Sequence, residues 1–407
     1  MNATEIAAGR MSPVEAVEDA LARIEAQRDL RAVITICGDE ALARARRGVT
    51  GRLAGVPLLV KDLLDTAGVR TTYASALYAE HVPERTAPAV AALEAEGAIV
   101  VAKANADEFA WGTCGQNTFY GDPVNPRAPD RIAGGSSSGN AVALAAGMVP
   151  LALGTDTGGS LRMPAAACGV VGFKPPVGAV SCDGVFPLVP TFDTVGPMAR
   201  TVADCALAHA VLTGTTVPEP RIRDLRVGLL TGVPPLAPAT SQAPHDDRAL
   251  AWADRLRELG ADVREVALPV PEGDTWPVFM AEAAASHAAT FPSRRDEYGP
   301  TIRAKLDDAV RVTAEASERA HAALRGWRER AAREPDVDLL VSPTLGVTDL
   351  PPAGVDELEV RIAVSAYTRP FSYLGWPAIA IGDLQIAGRD AGLVLAAALA
   401  VEYQENW

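Results

Sequence analysis

Apolar and polar positions alternate in blocks along this chain, and the blocks predict helices and buried strands in turn. Ser12, Pro13 and Glu15 form a capping box with proline at the first helical position. Val14, Val17, Leu21 and Ile24 follow at helical spacing, so one face of this first helix docks on the body. Residues 53–60 and 98–102 are short continuous apolar runs suited to buried strands, with a helix over 86–96 between them. Residues 140–147, rich in alanine and closed by glycine, predict a buried helix, and 149–153 another core strand. The alternation resumes with a strand at 227–230, an exposed proline-rich loop at 232–244, a helix at 247–259 and a strand at 262–266. A long charged helix is expected over 301–333, then strands at 337–341, 378–381 and 384–386 and a helix at 390–403. Such interleaving predicts an α/β protein: a large mixed, mostly parallel β-sheet core covered by helices on both faces.

Composition narrows the function. The 407 residues are 48% hydrophobic, enough to fill a large core, and carry a formal net charge of −14. The longest basic run is Arg44-Ala45-Arg46-Arg47, so neither nucleic acid nor an anionic membrane has an electrostatic footprint here. Five dispersed cysteines lack a CxxC pair, and five histidines lack HxH or HxxxH spacing, so neither a metal site nor a cofactor is expected. No apolar run approaches the roughly 20 residues of a membrane helix. The start, MNATEIAAGRM, has no signal-peptide character, and a cytoplasmic protein acting on a small molecule is expected.

The candidate chemistry lies in residues 134–175, GGSSSGNAVALAAGMVPLALGTDTGGSLRMPAAACGVVGFKP. A serine cluster (Ser136, Ser137, Ser138) between glycines is followed by a small-residue helix and a second glycine-flanked serine, Ser160. Two such loops can bring hydroxyls and backbone N–H groups to one point, as acyl transfer requires. Lys61 emerges from the end of an apolar run, where burial lowers a lysine pKa and allows it to act as a base. In isolation, an ion pair with Asp62 or Asp65 is the plainer reading of this lysine. Residues 155–160, TDTGGS, form a tight turn with inward amides, and a phosphate loop is excluded because no Gly-Lys-Ser/Thr follows. Residues 135–139 also match the G-x-S-x-G elbow of α/β-hydrolases, which would make Ser137 the nucleophile of an esterase.

These blocks resemble the amidase signature family. The resemblance extends through GVPLLVKDLLDTAGVRTTYAS around Lys61, KANADEFAWGTCGQNTFYGDPVNP at 103–126 and SCDGVFPLVPTFDTVGPMARTVAD at 181–204. It implies one amidase signature domain over 1–407, with a catalytic core at 10–214, a variable substrate-cleft region at 215–375 and a return to the core at 376–407. It also implies a Ser–cis-Ser–Lys triad: Ser160 as nucleophile, Ser136 on a cis peptide as bridge and Lys61 as base. The backbone amides of Thr157, Gly158 and Gly159 would form the oxyanion hole, with Ser137, Asp156 and Arg162 in support. The implied activity is hydrolysis of non-peptide C–N bonds in small linear amides, with carbamates and ureido compounds as related substrates. The alternative is the amidase subunit of a tRNA-dependent amidotransferase, which releases ammonia for a partner. A homodimer is the default assembly.

Overall fold

The computed structural model describes residues 2–232 and 248–404. Eleven strands form a single sheet: β1 (Val33–Ile36), β2 (Pro57–Lys61), β3 (Ile99–Ala104), β4 (Leu151–Asp156), β5 (Val171–Lys174), β6 (Thr194–Ala199), β7 (Arg226–Leu230), β8 (Asp262–Val266), β9 (Leu339–Pro343), β10 (Ala378–Ile381) and β11 (Leu384–Gly388). Their order is β1-β3-β2-β4-β6-β5-β10-β11-β9-β7-β8. Alternate residues of one strand face opposite sides, as a period of two dictates. Leu58 and Val60 of β2 pack into one core and Leu59 into another. Each core is closed by helices: Pro13–Ala26, Gly38–Arg47 and Ser138–Ala145 contribute to the second, and Pro88–Ala95 and Val202–Thr213 to the first.

The α/β class, the mixed sheet and its two helical covers are as expected; the balance of strand directions is not. Among the described residues, β2 pairs with β3 and β4 in parallel, and β7 with β8 and β9, whereas the other six pairings are antiparallel. The parallel blocks arise where a helix intervenes, such as Pro88–Ala95 between β2 and β3. β10 and β11 are separated only by residues 382 and 383, a connection too short for anything but a hairpin. β1, β5 and β6 carry no clear periodicity in the sequence and add antiparallel pairings.

The capping box at Ser12 is present, with Ser12 Oγ accepting from the Glu15 N–H. The run at 53–60 becomes a strand only from Pro57, because Gly51 and Gly55 turn the preceding chain. The expected helix over 301–333 is two helices, Pro300–Ala309 and Ala314–Ala331, the second restarted by a Thr313 cap on the Ala316 N–H. All but the first residue of the proline-rich loop at 232–244 lies outside the described residues. No described helix is long and apolar enough to cross a membrane.

Candidate active site

β2 and β4 run parallel and adjacent, so the ends of both deliver their last side chains to the same point. Lys61 closes β2, and its side chain is fully buried. Its Nζ lies 2.8 Å from Ser136 Oγ and 2.9 Å from Thr155 Oγ1. It does not form the expected plain ion pair with Asp62 or Asp65: Asp62 accepts from Thr72 and Asp65 from the Tyr73 hydroxyl. Burial lowers the Lys61 pKa to about 7, against the pull of Asp107, Asp156 and Asp193 in the other direction. The Gly135–Ser136 peptide is cis. Asp107 packs against this turn: a Cβ placed on Gly135 would come within 2.1 Å of Asp107 Oδ2. Burial raises the Asp107 carboxyl to about 7.

The second loop, residues 157–160, joins β4 to the helix Arg162–Cys168. Asp156 and Arg162 hold it from beneath, both inaccessible to solvent. Arg162 Nε and Nη2 each meet one Asp156 oxygen at 3.0 Å, a bidentate pair. Nη1 donates to the Thr368 carbonyl and to Gln385 Oε1, and Nη2 also to Ser372 Oγ, so every direction of the guanidinium is used. Burial alone would raise the Asp156 carboxyl, but Arg162 reverses this and holds it below the ordinary range. Removing one member of such a pair strands the other charge, so Arg162→Met is expected to cost about 3–5 kcal/mol of stability. Thermal or urea unfolding measures this, and a loss below about 1 kcal/mol would refute the anchoring role.

Asp156 also decides which amides are already engaged. Its Oδ1 accepts the Gly159 N–H at 2.8 Å and its Oδ2 the Leu161 N–H at 3.2 Å. Gly159, expected in the oxyanion hole, is therefore engaged from behind, a correction imposed by the carboxylate beneath the loop. The N–H groups of Thr157 and Gly158 donate to no described residue. Gly159 has φ +134°, and a Cβ there would lie 2.2 Å from Thr368 Oγ1, so the position requires glycine. Thr368 Oγ1 donates to the Gly158 carbonyl at 2.7 Å, and Thr157 Oγ1 to Asp193 at 2.5 Å.

Ser160 lines an open cleft together with Thr157 and Gly158. Its hydroxyl makes no hydrogen bond to a described residue, while its carbonyl accepts the Ser137 N–H at 3.2 Å, tying the two loops together. Ser137 itself is fully buried, outside the cleft lining, and donates its hydroxyl to the Thr155 carbonyl at 3.3 Å. No described histidine hydrogen-bonds to it; His209 and His287 pack against Phe173 and Phe109. The elbow reading of Ser137 is corrected accordingly: the hydroxyl faces backbone, not solvent. Ser138 is also buried, and its hydroxyl has no partner among the described residues.

Several contributors carry no local signal. Thr155 contacts Lys61 only because β2 and β4 pair. Thr368, Ser372 and Gln385 reach Arg162 from more than 200 residues away. Trp276, Phe279, Arg361 and Arg369 line the cleft from the region that matches the resemblance only weakly.

With this geometry in view, the comparisons with known proteins are specific. A model of the Amidase family matches residues 15–396. The chain belongs to the Amidase family. It is 42% identical over 283 residues to the glutamyl-tRNA(Gln) amidotransferase A-subunit of Roseiflexus sp. (strain RS-1), covering 64% of this chain and 58% of that relative. Thus the chain spans less than two thirds of the length of this curated relative. Among solved structures, that of an amidase superposes with a TM-score of 0.87 at 32% identity, over 99% of this chain and 100% of the other. A bacterial aryl acylamidase of the amidase signature family gives 0.84 at 25% identity, over 99% and 95%.

Proposed function

We propose that this chain hydrolyses a carboxamide C–N bond through an acyl-enzyme on Ser160. The observation that carries the reading is the 2.8 Å contact between a buried lysine and Ser136, behind a loop that presents Ser160 to an open cleft. Neutral Lys61 accepts the Ser136 proton, and Ser136 accepts that of Ser160 as Ser160 Oγ attacks the amide carbon. The oxyanion is met by the uncommitted N–H groups of Thr157 and Gly158, where loss of one donor costs about 10²–10³ in rate. As the C–N bond breaks, Ser136 passes a proton to the nitrogen, and ammonia or an amine leaves. Water, deprotonated through the same relay, then cleaves the ester and restores Ser160.

Two wider roles use this chemistry. Sequence similarity gives more support to the amidotransferase role, since the Roseiflexus relative bears that name at 42% identity. On that reading the substrate is glutamine and the ammonia passes to a partner protein. Stand-alone hydrolysis of small linear amides, with carbamates as relatives, draws support from the amidase structure matched over its full length. Glutaminase activity together with a stably co-purifying second polypeptide would favour the first. Efficient turnover of small amides by the isolated chain, without glutaminase activity, would favour the second.

The shared mechanism is tested by treating wild type and Lys61→Ala with a fluorophosphonate and mapping the adduct by mass spectrometry. The adduct is expected on Ser160, formed at least tenfold more slowly in Lys61→Ala. Labelling of Ser137 instead would overturn the assignment.

A further inference from the structure

The cleft above Ser160 is positively charged in a strongly acidic protein. Lys305, Arg361 and Arg369 line it with a single carboxylate among the described residues, Glu357, although the whole chain carries −14. Glu357 is already committed: Lys305 Nζ lies 2.6 Å from it, and Thr113 Oγ1 donates to it at 3.1 Å. Arg369 donates to Ser365 Oγ and to the Ile362 carbonyl and meets no carboxylate. Arg361 stands apart. Its guanidinium donates to no described residue, and its Nε is also closed off from solvent. In this half-buried side chain the Nε donor has given up water without gaining an acceptor, which is unusual because an unmet buried donor is costly to leave so. Around it the walls are aromatic: Trp276 and Phe279 stack at 5.3 Å, and Trp111 lies 5.8 Å from Phe279. Such walls exclude water and strengthen any ion pair formed between them.

We infer that the substrate is an anionic amide, whose acyl part ends in a carboxylate that docks on Arg361. A planar carboxylate matches the guanidinium fork and supplies the acceptors that Arg361 lacks. Apolar methylenes or a ring between carboxylate and amide would lie against Trp276 and Phe279. The same charge balance works against an added ammonium group, for which no uncommitted carboxylate is present among the described lining residues. The inference rests on the acyl-enzyme reading only for where the amide is cleaved.

Three five-carbon amides separate the terms: pentanamide is neutral, glutaramate adds a carboxylate, and L-glutamine adds an ammonium to that. The expected order in kcat/KM for wild type is glutaramate at least tenfold above pentanamide, and glutaramate above glutamine. Arg361→Gln is expected to reduce the glutaramate-to-pentanamide ratio at least tenfold, with Arg361→Lys intermediate. Equal, measurable turnover of glutaramate and pentanamide by wild type, glutamine above glutaramate, or an unchanged ratio in Arg361→Gln would each overturn the inference. Calorimetry on Ser160→Ala separates this from the mechanism, since binding needs no turnover. Tighter binding of glutaramate than pentanamide there would sustain the anion site even if wild type cleaved neither amide. Equal binding would overturn it even if Ser160 were labelled as expected.

Discussion

Ser160→Ala is expected to lower kcat for amide hydrolysis by at least about 10⁴, with the fold intact. The size follows from the role: without Oγ no acyl-enzyme forms, and the remaining amides and cleft can only bind substrate and polarise its carbonyl. The fold survives because the Ser160 hydroxyl bonds to no described side chain, and the loop is held instead by Asp156, Arg162 and Thr368. Steady-state kinetics on an amide cleaved by wild type, with a melting curve beside it, measures both parts. Activity within tenfold of wild type would mean that another group attacks the carbonyl. Ser137→Ala makes a useful contrast. Its hydroxyl donates only to the Thr155 carbonyl, so any loss there reflects a shifted loop.

The parts of this site that are legible in the sequence are those fixed by local constraints. Glycines on either side of the Ser136–Ser138 cluster and before Ser160 mark backbone that approaches other groups too closely for a side chain, as the clashes at Gly135, Gly139 and Gly159 show. An apolar run ending in lysine marks a buried lysine, and β2 ends at Lys61, although the run by itself does not separate a base from an ion pair. What escapes is set by contacts between distant segments. The Asp156–Arg162 pair is expected to support the loop, but its capture of the Gly159 N–H depends on carboxylate orientation, which no pattern records. Strand direction is not legible because β5 and β6 are short and broken by glycine and proline, so their antiparallel return beside β4 has no periodic signature. The cleft wall is built from helices such as Trp276–Ser286 and Glu357–Val364, whose inward faces are fixed by packing. Arg361 reads as an ordinary surface charge on such a helix until its lack of partners is seen in three dimensions.

Under the proposed mechanism the pH dependence follows Lys61, whose working form there is the neutral amine; burial brings its pKa down to about 7. Below that value each unit of pH protonates a further tenfold share of the base, so kcat/KM is expected to fall about tenfold per unit on the acid side and level off above about 7. Lys61→Ala should lose about 10²–10⁴ in rate and abolish this limb. Asp107 titrates in the same range, also about 7, and its charge favours protonated Lys61. The acid limb thus belongs to the coupled pair. Asp107→Asn keeps an acceptor for the Gln116 N–H, which now meets Oδ1 at 2.9 Å, but removes the negative charge. Without that charge the ammonium form is less favoured, the Lys61 pKa falls further, and the acid limb moves to lower pH. A limb that stays in place in Asp107→Asn would show that the two groups do not communicate. One that persists unchanged in Lys61→Ala would assign the base to another residue. The combination of a downward shift in Asp107→Asn and a vanished limb in Lys61→Ala is accounted for only by a lysine base beside a buried carboxylate.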